Sequence, residues 1–151
     1  MNGEIGSGNL ITLRIIWAAM LLGQLVYLGV ALAIGSPENR NDDLQRLLLY
    51  VLIAMAVSSI AVGFILRGIL YQRNRQPDGA VAAGAYSTGN ILFYAMCEGV
   101  GLFGITCTLL NGGFSAHTAV ALGAMVVLLL NFPTGRPLRR DDAIRPIHRH
   151  E

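Results

Sequence analysis

The chain has 151 residues, 54% of them hydrophobic and only 13% charged, with a mean hydropathy of +0.55. A soluble domain of this size carries about a quarter charged residues, so the composition excludes an ordinary water-soluble fold and predicts a polytopic membrane protein. The net charge of +2 comes from eleven arginines, no lysine and nine acids, a bias that fits a GC-rich bacterial genome.

Four stretches nearly free of charge follow one another. The first, Ile15–Ile34, holds twenty residues without a charge, enough at about 1.5 Å per residue to span a hydrocarbon core of roughly 30 Å. It is not a signal peptide, because Glu4 stands where a basic region belongs and the apolar run is too long. The turn-rich GSPENRNDD follows, with Asn41, Asp42 or Asp43 able to cap the next helix. The second stretch is Leu47–Leu66 and the third is Gly89–Leu110, which NGG at 111–113 should terminate. The fourth is Ser115–Phe132, which Pro133 should stop. The expected architecture is all-α: a four-helix transmembrane domain over 1–132, with helices about 11–34, 44–70, 88–110 and 115–132, then a basic, poorly ordered tail over 133–151.

Four crossings place both termini and the connection between segments two and three on one side. That side holds Arg14, Arg67, Arg73, Arg75 and the five tail arginines, against Arg40 and Arg46 on the other. By the positive-inside rule both termini are expected in the cytoplasm, which suggests a multi-pass protein of a bacterial inner membrane. The tail lacks interleaved aromatics and a folded module, so its arginines point to lipid headgroups and not to nucleic acid. Trp17, Tyr27, Tyr50, Tyr71 and Tyr86 lie mostly toward segment ends and read as interfacial anchors. Small residues at spacing four, such as Cys97/Gly101 and Gly104/Thr108, suit close helix packing in lipid.

Cys97 and Cys107 are ten residues apart, about 15 Å along a helix, too far for a disulfide, and read as packing residues. His117 reads as a helix-end residue, and the terminal HRHE lacks further ligands for a metal. No nucleophile–base set or phosphate loop is present, so no catalytic residue, metal or cofactor is expected.

One residue breaks the apolar pattern. Glu98 lies near the centre of the third segment, where an ionised carboxylate costs about 2.5–3.5 kcal/mol. It should be neutral where dry and charged only where water or a cation reaches it, which makes it a candidate proton carrier. No other acid lies in any segment, so a relay of carboxylates is not available. Gln24, Ser58, Ser59 and Tyr94 are the groups at compatible depth that could hydrogen-bond to it, while Arg14 and Arg67 should extend toward headgroups. The structural alternative is a protonated Glu98 bonded to one of these and fixing helix register.

The stretch CEGVGLFGI (Cys97–Ile105) resembles the outer-helix motif of the F-type ATP synthase proteolipid, subunit c. On that resemblance the family's ion-binding acid falls on Glu98, small positions on Gly101 and Gly104, and the aliphatic–aromatic pair on Leu102 and Phe103. The family's Arg-Gln-Pro loop, which meets the central stalk, matches Arg75-Gln76-Pro77. The resemblance covers roughly residues 47–110; this chain adds one helix before the hairpin and one after. It implies a proteolipid-like subunit of a larger or oligomeric membrane complex, with Tyr94 and Gly101 shaping the pocket. Gly99 after the acid and the absence of glutamine from segment two lean the ion choice to H⁺.

Overall fold

The computed structural model describes residues 5–35 and 41–138. Within them the chain is helical: α1 (Ile5–Ile34), α2 (Asp42–Arg73), α3 (Ala83–Asn111) and α4 (Ala116–Leu130), followed by a 3-10 turn at Arg136–Leu138. The first three helices are long and apolar enough to cross a membrane. The fourth is apolar but has fifteen residues, a rise of about 22 Å.

Local chemistry sets the boundaries. Asn41 caps α2, its side chain accepting from the N–H groups of Asp43 and Leu44 at 3.2 Å. Gly112 ends α3 in the left-handed conformation (φ 74°), its N–H returning to the Leu109 carbonyl. The α4 N-terminus carries a reciprocal cap between Ser115 and Thr118. The α4 C-terminus comes earlier than Pro133 would impose: Asn131 folds its amide back onto the Val127 carbonyl and its N–H onto Leu128, closing the helix first. Helix ends reach well beyond the apolar segments: α1 starts at Ile5, α2 runs from Asp42 to Arg73, and α3 starts at Ala83.

The four helices form a bundle around α3, which packs on α1, α2 and α4, while α1 and α2 flank it without substantial contact with each other. α1 runs parallel to α3 at a constant offset of 77 residues, seen where Gly101 meets Gln24 and Gly112 meets Gly35. α2 and α4 run antiparallel to α3. Gly104 lets α3 approach α4 closely, since a Cβ there would lie 2.9 Å from that of Ala121. One turn further on, the hydroxyls of Thr108 and Thr118 bond across the same interface at 3.0 Å. Both cysteines are free and buried in packing positions, as expected.

The start of the tail is docked, where a loose segment was expected. Pro133 and Gly135 are buried, the Gly135 N–H donates to the Tyr86 hydroxyl at 3.0 Å, and the Val81 N–H donates to the Pro137 carbonyl at 2.8 Å. Buried polar groups at this end of α3 require partners, and the returning chain supplies them. The expectations for residues 36–40 and for 139–151, including HRHE, fall outside the described residues.

Candidate functional site

Glu98 stands at the midpoint of α3, fifteen residues after Ala83 and thirteen before Asn111. That puts it about 20 Å from either end of the helix. It is half-buried. On one side of it around the helix lie the outward residues Ala95, Gly99 and Leu102; on the other lie Gly101 and Ile105, which face α1. Glu98 therefore sits on the rim of the outer face, along the seam between α3 and α1. Among the described residues it makes no hydrogen bond and no ion pair.

The groups at the same depth are engaged elsewhere. The Tyr94 hydroxyl, one turn before Glu98, donates to the Asn131 carbonyl at 3.0 Å and lies 3.5 Å from Asn90 Oδ1. Ser58 is exposed and donates to carbonyls of its own helix, Ala54 and Met55. Ser59 is half-buried on α2, and Phe103 packs toward α2 with Leu52 and Val100. Neither Ser58, Ser59 nor Phe103 lies on the α1 side of α3. The geometry therefore divides the candidate residues: Gly101 shares the seam with Glu98, Tyr94 clusters with Leu13 of α1 while its hydroxyl reaches the end of α4, Gly104 faces α4, and Phe103 faces α2.

Gln24 is the polar residue that α1 brings to this seam. It is fully buried, and neither its amide oxygen nor its nitrogen has a partner. It rests on Gly101, less than one turn from Glu98, in space that only a glycine leaves free. Each unsatisfied buried polar group costs about 1–3 kcal/mol, so this amide is a marked exception in the bundle. The signal for it was present in the sequence as a lone amide in an apolar segment, but its register against Gly101 was not.

A second polar assembly lies at the end where α2 meets α3 and α4 terminates. Arg67 turns inward: its guanidinium donates to Asn131 Oδ1 at 3.0 Å and covers the rings of Phe93 and Phe64 at 4.6 and 5.0 Å. Arg14 likewise reaches the Pro133 carbonyl and the ring of Phe132, and the Trp17 indole N–H donates to the Leu128 carbonyl at 2.8 Å. The carbonyls and dipole at the α4 C-terminus explain why Arg67 bends inward, while Arg14 meets the same end from the surface and stays exposed. Tyr86 is buried and stacks on Tyr71, while Tyr27 bonds Thr106, so of the five aromatic anchors Tyr50 is the one that stays plainly exposed, at 69%. At the opposite end buried His117 ties the start of α4 to α2, its Nε2 lying 3.1 Å from the Gln45 carbonyl.

Arg75, Gln76 and Pro77 form the exposed turn between α2 and α3, closed by the Gln76 N–H to the Ala80 carbonyl at 2.8 Å. Among the described residues no cluster of three or more His, Cys, Asp or Glu could hold a metal. No family model matches the chain, and neither the curated proteins nor the solved structures contain a significant match.

Proposed function

We propose that this chain is a proteolipid-like membrane subunit in which Glu98 reversibly binds a proton, working within a larger or oligomeric complex. The observation that carries the reading is an unpartnered carboxyl group halfway along a membrane-length helix, on the rim of its outward face. A carboxyl that fixed packing inside the chain would be held by a neighbour; the Tyr94 and Ser58 hydroxyls that could have done so are bonded elsewhere. A group on the rim can meet water or a partner subunit in turn, and changes in those surroundings load and unload its proton. The resemblance of Cys97–Ile105 and of Arg75–Pro77 to the subunit c hairpin supports the same reading.

In this reading α4 completes a fourth crossing, and the nine arginines on the side of the termini face the cytoplasm of a bacterial cell. The rival is a structural or assembly subunit of a membrane complex in which Glu98 only fixes helix packing. A hydrophobic carbodiimide, which reacts with the protonated carboxyl, separates the two. Proton binding predicts modification at Glu98 in native membranes, falling as pH rises, and loss of proton-dependent activity in Glu98→Gln with assembly intact. Assembly alone predicts no labelling and an active Glu98→Gln complex.

A further inference from the structure

A cleft of about 440 Å³ opens beside the α2–α3 turn, with Tyr71, Gln72, Arg75, Val81, Arg136 and Pro137 among its lining residues. It is a built feature. An isolated antiparallel bridge pairs Arg75 with Val81, and the Val81 N–H holds the Pro137 carbonyl, so the two arginine-bearing segments are tied together across its floor. Arg136 comes to the cleft only because the chain after α4 docks back onto α3.

The polar groups are all of one kind. Arg75 and Arg136 are both exposed, and among the described residues neither guanidinium has an ion-pair or hydrogen-bond partner. Among the described residues no acid lines the cleft; Asp78 in the adjoining turn accepts from the Ala80 N–H at 3.1 Å. The Tyr71 hydroxyl accepts from the Asn90 amide at 2.6 Å, which leaves its own hydrogen free to donate. The Gln72 amide adds another donor. Two guanidinium forks, a phenol and an amide around one volume match a tetrahedral oxyanion that accepts several hydrogen bonds.

We propose that this cleft binds a phosphate group, as a phosphoester whose remaining part fills the volume that a bare ion would leave empty. The cleft lies at the ends of α2 and α3, so the phosphate could belong to a membrane lipid headgroup or to a soluble phosphoester. The site is independent of Glu98, which lies about half a helix length away.

Calorimetry on the full chain in a zwitterionic detergent tests this, with dihexanoyl phosphatidic acid below its micellar concentration in one arm and glycerol phosphate in the other. Saturable binding is expected, weakened about tenfold by Arg75→Gln and by Arg136→Gln, and less than about twofold by Arg73→Gln, an exposed arginine outside the cleft. Binding of the lipid alone identifies a headgroup site; equal binding of both probes identifies a soluble phosphoester. Absence of saturable binding in both arms overturns the proposal. So does equal weakening by all three variants, which would mean a diffuse basic surface. All three positions are exposed, so an unchanged helical spectrum accompanies a valid comparison.

Discussion

Gln24 occupies the space that a side chain at Gly101 would need: a Cβ there would lie 2.9 Å from the Gln24 amide carbon and closer still to its oxygen. The two residues thus set how near α1 approaches α3 beside Glu98. Gly101→Ala is expected to destabilise the bundle by about 1–3 kcal/mol, because the amide must move against its own packing. Adding Gln24→Ala should recover most of that loss, since the space contested by Gly101→Ala is then vacant. Unfolding of the four proteins of this cycle in a mixed-detergent titration measures the coupling, and additive effects would contradict the fit.

Gln24 itself makes the opposite prediction. Its amide is fully buried with both polar atoms unpartnered, so an apolar residue of similar length removes a penalty and adds no cavity. Gln24→Met is expected to stabilise the isolated chain by about 1–2 kcal/mol. A thermal melt in detergent reads this directly. If the amide serves Glu98 in the assembled complex, the same substitution should alter the pH dependence of carbodiimide labelling while raising the melting temperature.

Arg67 joins α2 to the end of α4 through Asn131 and to α3 through the face of Phe93. Arg67→Leu should cost about 1–3 kcal/mol, through the lost cation–π contacts and the unpaired Asn131 amide oxygen. Arg67→Lys keeps the charge but not the planar fork, and should recover only part of the loss. Hydrogen exchange at the Val81 N–H, which holds the Pro137 carbonyl, is a useful second readout, because a loosened α4 terminus should release the docked 133–138 segment and unprotect it.

Composition and patterning sufficed for the helical architecture, because twenty-residue apolar runs between Gly-, Asn- and Pro-bearing breaks leave little choice of structure in lipid. The Gly112 stop and the Asn41 cap were legible for the same reason: each is a local interaction within four residues. What could not be read was long-range. Nothing in the sequence says that α1 packs on α3 with an offset of 77 residues, so the meeting of Gln24 with Gly101 was hidden. The inward turn of Arg67 was hidden too, because it depends on where α4 ends. Tail residues 133–138 read as loose because their polarity and prolines gave no sign of the N–H groups and hydroxyl they satisfy. Glu98 stood out as an isolated charge, but its position on a rim, without a partner, emerges only from the packing of α3.

The cysteines offer a test of the bundle that needs no functional assay. Cys97 and Cys107 are 0% and 1% exposed, on faces of α3 turned toward neighbouring helices. Both thiols should resist a membrane-permeant maleimide in the native protein and react in full once the bundle is unfolded. In the Gly101→Ala protein, Cys97 lies one turn from the clash and should become reactive first, while Cys107 stays protected. The order follows from position along α3: a displaced α1 opens the seam near residues 97–101 and leaves the α4 contact at Thr108 closed. Equal labelling of both thiols would mean that the four helices separate together, and mass spectrometry of the labelled peptides distinguishes the cases.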